Sequence, residues 1–359
     1  MASPGARLAS LDAFRGFTIS SMILVNNAGS FPEAYAQLRH SSWHGWTFTD
    51  IVFPFFLWIV GVSLTFSFAK RKDEGADRGK LMLHTLRRSA LIFGLGLLLN
   101  GLPYFQLDTI RIPGVLQRIA VCYLIAAAIF LYTSVRGQAL FIPGLMLAYT
   151  ALMHPEGYEK GSNFAAYFDS LFLSGHMYSV TKVWDPEGII STIPAIATTL
   201  FGVLTGHLLR SSLSEKEKTA WMLFSGNFLV QAGFVCDRFQ PINKNLWTCS
   251  YSLLMAGLAL VVFGCFYFLI DVKGHARWSR PFQIYGMNAI TVYVLAGVLD
   301  RMLGLWKIGA TTADMLLYER VFLPMASPIN ASLLYALSMV LLLYGAAWLM
   351  HRRGWFPRF

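Results

Sequence analysis

Charged residues are scarce in this chain. They make up 13% of its 359 residues, where an ordinary soluble domain carries about a quarter. With 55% of the residues hydrophobic, a soluble globular fold is excluded. The apolar runs are continuous rather than alternating, which also excludes a transmembrane β-barrel. Paired cysteine motifs are missing. Cys122, Cys236, Cys249 and Cys265 form neither a CxxC pair nor a Cys/His cluster at zinc spacing, so no metal is expected. Cys236 and Cys249 flank one predicted outer loop; a disulfide there is open, with two separate thiols the preferred reading. No small-residue cleavage site follows the first apolar segment, so that span is expected to act as the insertion signal. No basic groove with interleaved aromatics accompanies the net charge of +10. The charge therefore points to a lipid bilayer rather than to nucleic acid. No internal repeat is visible, which argues against a transporter built from two related halves.

What is present is a series of apolar runs, each long enough to cross ~30 Å of hydrocarbon as a helix. Ten spans are expected, at about 11–29, 50–69, 81–100, 113–133, 138–153, 188–209, 219–236, 246–270, 281–300 and 330–350. The expected fold class is thus an all-α integral membrane protein, a polytopic bundle of about ten transmembrane helices, read as a single domain over 1–359. Most of the 29 Lys and Arg residues fall at alternate span ends, above all in 70–88 and at the C-terminus. The positive-inside rule then puts both termini in the cytoplasm. The outer segments become 30–49, 101–112, 154–187, 237–245 and 301–329. Segment 154–187 is too long for a mere connector, and its middle, 163–173, suits a short interfacial helix.

Polar groups concentrate around that outer side. Between residues 40 and 50 lie His40, Trp43, His44, Gly45, Trp46, Thr47, Thr49 and Asp50, directly before an apolar span. An imidazole near neutral pH both accepts and returns a proton, so His40 is the leading catalytic candidate beside its plain reading as a loop histidine. Asp50 suits holding that imidazole in one tautomer and equally suits a helix N-terminus, as Thr47 and Thr49 do. Asn26 suits either a helix stop or an oxyanion donor. Asp12 and Arg15 are spaced to pair on one helix face, and Arg15 also suits a phosphate. Gln117 and Arg118 fall one to two turns inside the fourth span, where an arginine should face the bundle interior or a wet cavity. Asp185 and Glu187 open the sixth span, favoured there by the helix dipole and able to receive a cationic amino group. Asn288 sits in an otherwise apolar helix and needs a partner.

Taken in order, Leu8-Ala-Ser-Leu-Asp-Ala-Phe-Arg-Gly16, Val25-Asn26, His40-Ser-Ser-Trp43 with Gly45, Asp50-Ile-Val-Phe-Pro54, Arg111-Ile-Pro-Gly-Val-Leu-Gln-Arg118, Asp185-Pro-Glu-Gly188, Asn243-Lys-Asn-Leu-Trp247 and Gly286-Met-Asn288 resemble the heparan-α-glucosaminide N-acetyltransferase family, including its bacterial members. Each motif alone is weak; the ordered set is specific and covers most of the chain. The resemblance implies transfer of acetyl from cytosolic acetyl-CoA to the amino group of a glucosamine-type sugar or glycan across the membrane. It implies catalytic roles for His40, Asn26 and Asp50. Arg15, Arg118 and Asn288 are assigned to the acetyl-CoA co-substrate, and Trp43, His44, Asp185, Glu187, Lys244 and Asn245 to the acceptor. His44 stands where the family commonly has Asn. The chain lacks the extra N-terminal region of the animal lysosomal enzyme, so a bacterial inner membrane is the expected location. A homodimer is left open. The other functional class weighed is an amino-sugar or muropeptide transporter, which would use the same polar cluster as a midplane binding site.

Overall fold

In the computed structural model, residues 8–73 and 75–357 are described. Thirteen α-helices follow one another along them: α1 (Ala9–Asn26), α2 (Phe48–Asp73), α3 (Arg78–Gly101), α4 (Val115–Tyr132), α5 (Val135–Met153), α6 (Phe164–Leu173), α7 (Ile189–Leu209), α8 (Glu215–Cys236), α9 (Cys249–Tyr267), α10 (Arg280–Met287), α11 (Ala289–Leu305), α12 (Ala313–Leu317) and α13 (Pro328–Arg352). The two-stranded sheet is a short hairpin of β1 (Lys307–Ile308) and β2 (Thr311–Thr312). The protein is a polytopic helical membrane protein. Among the described residues eight helices, α2, α3, α4, α5, α7, α8, α9 and α13, are long and apolar enough to cross a bilayer. The segment expected as one span at 281–300 is a broken pair, with α11 bent 71° away from the helical stretch ending at Met287. That pair would be a ninth crossing. Helix α1 occupies the expected first span, but its 18 residues include Asp12 and Arg15, which leaves it less apolar than the others. The helix expected in 163–173 is α6, capped by the Asn163 side chain on the Ala166 N–H. All four cysteines are free thiols.

The chain divides into two compact units. The first holds Ser42–Gly45 and Phe53–Phe268. Helix α7 lies at its centre and packs against α4, α5, α6, α8 and α9. It also meets α2, where Gly61 faces the Thr199 carbonyl and Gly202 faces the Trp58 carbonyl so closely that a Cβ on either would collide with backbone. Small residues that let helix backbones touch are the usual means of packing in lipid, where apolar side chains gain little from leaving the acyl chains. Trp58, Trp247, Tyr251 and Phe263 are fully buried in this unit.

The second unit holds Leu8–Ser41, Trp46–Val52 and Leu269–Phe359. Helix α1 packs on α10, α11 and α13, with Gly16 and Gly286 forming another reciprocal backbone approach. The loop after α1 is sewn to the start of α13. The Gly29 N–H donates to the Ser332 carbonyl (3.4 Å), the Ser332 hydroxyl to the Ser30 carbonyl (3.0 Å), and the Tyr35 hydroxyl to Asn330 (2.6 Å). This fixes the base of the loop that carries His40.

Candidate active site

In the second unit, the start of α2 organises the polar loop. Asp50 lies in the first turn of α2 and is 1% exposed. Its Oδ2 accepts the backbone N–H groups of Ser41 and Thr47, both at 3.0 Å. The Thr47 hydroxyl is 3.1 Å from the same oxygen and 2.7 Å from the Arg39 carbonyl. Its Oδ1 lies 2.6 Å from His40 Nδ1. A carboxylate only accepts, so Nδ1 carries the hydrogen and the lone pair falls on Nε2. The His40 side chain is half exposed, at 50%. Gln37 closes the loop from below, its side chain accepting from the Phe48 N–H (3.0 Å) and its carbonyl from the Thr49 hydroxyl (3.2 Å). The helix-start and tautomer-holding readings of Asp50 are therefore both realised by one side chain. An imidazole with one nitrogen fixed by a buried carboxylate and the other side reaching solvent is built to take and return protons.

Three other expected site residues belong to this unit. Asn26 is the last residue of α1 and is exposed. Arg15 pairs with Asp12 at 3.1 Å and reaches the Gly286 carbonyl at 3.4 Å, so its guanidinium serves the α1–α10 packing. Asn288 lies at the break between α10 and α11. It is 3% exposed, and neither its amide nitrogen nor its oxygen has a hydrogen-bond partner among the described residues.

The first unit carries a second set. The Trp43 indole donates to the Tyr158 carbonyl (2.9 Å) and its ring meets Trp184 edge-on at 5.0 Å. The Gly45 N–H donates to the Ile242 carbonyl (2.7 Å), and His44 Nδ1 lies 3.4 Å from the Asn243 amide. Asn243 is fully buried and ties its own turn together, accepting from the Leu246 N–H at 2.9 Å. Lys244 and Asn245 form the half-buried outside of that turn. The turn ends on Trp247, whose φ of 52° is rare for a bulky residue. Its surroundings hold it there, with the Thr198 hydroxyl accepting from its indole (3.1 Å), Phe53 and Tyr251 edge-on at 5.0 and 5.4 Å, and the Arg118 guanidinium 5.1 Å over its ring.

Arg118 is 2% exposed. It donates to the Gly188 carbonyl (3.0 Å) and to the Ser191 hydroxyl, while its Nε and Nη1 are buried without a hydrogen-bond partner among the described residues. Arg111, outside the span, takes Asp185 with two hydrogen bonds (2.9 and 2.6 Å) and Glu187 with one (2.5 Å), and stacks 4.7 Å over Tyr178. Burial opposes its cation, but the hydrogen bond to Asp185 and the charges of Glu187 and Asp185 outweigh it and raise its pKa. Asp185 and Glu187, expected to receive an acceptor amine, are thus already engaged by Arg111 within the chain. Asp169 of α6 accepts the Ile189 N–H (2.9 Å) at the start of α7, and Gly188 leaves room for its carboxyl, which a Cβ would strike. Burial pushes the Asp169 carboxyl up to about 6, helped by Asp185 and opposed by the Ile189 N–H and Arg118.

Sequence reasoning missed Arg111, Asp169, Trp184, Asn243 and Trp247 as parts of this arrangement. Arg111, Asn243 and Trp247 lay inside quoted motifs, and the unusual run of carboxylates and tryptophan before α7 was the available signal for Trp184.

The catalytic-domain profile of one family, heparan-alpha-glucosaminide N-acetyltransferase, matches residues 7–238. The chain belongs to this family. The matched stretch contains the His40–Asp50 pair and the Arg111, Arg118 and Asp185 cluster, and it ends before the 243–247 turn and Asn288. The heparan-alpha-glucosaminide N-acetyltransferase of Homo sapiens is 30% identical over 366 residues, covering 84% of this chain and 54% of the human protein. That of Mus musculus is 29% identical over 373 residues, covering 85% of this chain and 56% of the mouse protein. The chain spans about half the length of the curated relatives it matches.

Proposed function

We propose that the protein is a transmembrane N-acetyltransferase that takes acetyl from cytosolic acetyl-CoA and delivers it to the amino group of a glucosamine-type sugar on the outer side of the membrane. The single observation that carries this reading is the His40–Asp50 pair, held at 2.6 Å with Asp50 buried and His40 half exposed, in a chain of this family. His40 Nε2 takes a proton from the amine as its nitrogen attacks the thioester carbonyl. The tetrahedral intermediate collapses, the C–S bond breaks, and the imidazolium returns the proton to the CoA sulfur. Asp50 holds the imidazolium, and Asn26 donates to the developing oxyanion. General base catalysis contributes on the order of 10²–10⁴-fold and an oxyanion donor ~10²–10³-fold. Arg118 and Asn288, each buried with unpartnered polar atoms, are assigned to acetyl-CoA. Trp43, His44, Lys244 and Asn245 are assigned to the acceptor. Arg15, Asp185 and Glu187 act through their internal pairs.

His40→Ala is expected to lower acetyl transfer by at least 10²-fold, with the variant still inserted and eluting as the wild type does. Asp50→Asn should reduce turnover while leaving the acetyl-CoA KM near the wild-type value. The assay follows acetyl-CoA consumption against a panel of glucosamine-containing acceptors, with products identified by mass. Near wild-type turnover in His40→Ala would move the role to His44. One feature favours the alternative of an amino-sugar carrier, the 71° break at Asn288, because broken spans often mark transport sites. Acceptor uptake into proteoliposomes without acetyl-CoA would select that reading.

A further inference from the structure

Helix α3 has two faces that differ sharply. Leu81, Thr85, Ser89, Ile92, Gly96 and Leu99 are buried, and Ser89 donates to the Ala120 carbonyl of α4 at 3.1 Å. The opposite face is a single stripe at three- and four-residue spacing: Lys80, His84 and Arg87, then Leu91, Gly94 and Leu98. All six are exposed. Lys80 and Arg87 lie on this line in the first turns, with Leu83 and Leu86 exposed beside them, and Leu91 and Leu98, at 58% and 46% exposure, continue it. Between them Gly94 opens a gap, with no atom within 4 Å of where its Cβ would be.

Among the described residues this face has no counter-charge from α3 or α4. Neither α3 nor the α4 it packs on contains an Asp or Glu. The neighbouring Asp77 spends its carboxylate on the N–H groups of Gly79 and Lys80, at 2.8 and 3.2 Å. Among the described residues, Lys80 and Arg87 make no ion pair. Lys80 and Arg87 lie about two turns apart on this line, with the His84 imidazole between them. Beside them Arg88 is braced over the Tyr123 ring of α4 at 5.4 Å, so the cationic end is anchored to the bundle. At 1.5 Å per residue Lys80 to Arg87 covers about 10 Å of axis and Leu91 to Leu98 about another 10 Å, enough for the line to pass from a headgroup layer into the hydrocarbon of one leaflet.

We propose that this stripe is a binding site for an anionic phospholipid, with Lys80, His84 and Arg87 on the headgroup phosphate and an acyl chain along Leu91, Gly94 and Leu98. The proposal is independent of the acetyl-transfer reading. The test titrates the full chain, in nanodiscs of phosphatidylcholine, with phosphatidylglycerol, and counts retained lipid by native mass spectrometry. Phosphatidylglycerol should be retained in preference to phosphatidylcholine. Removing one cation should weaken it about fivefold, and Lys80→Gln with Arg87→Gln together roughly 25-fold. Arg87→Lys should keep the preference. Because all these side chains are exposed, the variants should elute and melt as the wild type does; if the double variant does not, Arg87→Gln alone carries the comparison. Equal retention of the two lipids overturns the proposal, as does unchanged phosphatidylglycerol retention in Arg87→Gln. A loss of CoA affinity with lipid retention intact also overturns it, because the cations would then serve a soluble phosphate.

Discussion

Each oxygen of Asp50 is committed, one to the His40 imidazole and the other to the N–H groups of Ser41 and Thr47. This much was readable from residue types, because an acid ten positions after a histidine and at a helix start has few ways to avoid burial alone. The fate of Asp185 and Glu187 was not readable, because their partner, Arg111, lies more than seventy positions earlier. Asp169 was equally hidden, since a carboxylate on a short apolar helix signals nothing until α7 is laid against it. Its carboxyl is raised from 3.8 to about 6. A raised acid favours the folded state fully below the unfolded pKa, and that contribution is lost as pH rises through about 6. Asp169→Asn should therefore raise the thermal midpoint in detergent at pH 8, by the equivalent of about 3 kcal/mol, and give little gain at pH 4. A gain of the same size at both pH values would contradict the assignment to this carboxyl.

Each apolar run that the sequence marks as a span carries a helix in the structure, and the interfacial helix expected in 163–173 is α6. Hydropathy could not reveal the 71° break, because Gly286, Met287, Asn288 and Ala289 interrupt the apolar run with a single amide. The break follows from packing: Gly286 is pressed against the Asp12 carbonyl and the α10 helix ends one residue later. Asn288 then carries a buried carboxamide with no hydrogen-bond partner among the described residues. A buried unsatisfied polar group costs on the order of 1–3 kcal/mol. Asn288→Ala should accordingly raise thermal stability in the absence of substrate and raise the KM for acetyl-CoA. Stabilisation with an unchanged KM would leave the amide without a donor-binding role.

At the scale of the whole molecule, the membrane class and the family follow from composition and ordered motifs. The division into two units was not legible. It assigns the four residues Ser42–Gly45 to the first unit, where the Gly45–Ile242 and Trp43–Tyr158 hydrogen bonds tie them to segments far away in sequence. Sidedness rests on the Lys and Arg distribution and is directly testable. With the native cysteines replaced, Tyr104→Cys, in the exposed α3–α4 turn, should react with an impermeant maleimide added outside intact cells. Lys216→Cys, at the exposed start of α8, should react only after permeabilisation. The reverse pattern would invert the orientation.

The buried Arg118 sets an order of events during synthesis. Helix α4 leaves the ribosome with this cation, while the Gly188 carbonyl and Ser191 hydroxyl that receive it are encoded 70 and 73 residues later. The carboxylates whose charge reaches it, Glu187, Asp185 and Asp169, are also still to come. At roughly 5–20 residues per second, the wait for Gly188 is about 4–14 s. During that interval α4 has an arginine and no internal host for it. A chain truncated after residue 160 should therefore be extracted from membranes by alkaline carbonate more readily than the full chain, and Arg118→Leu should restore its retention. Equal retention of the truncated chain with and without Arg118 would show that α4 settles into the bilayer before α7 is made.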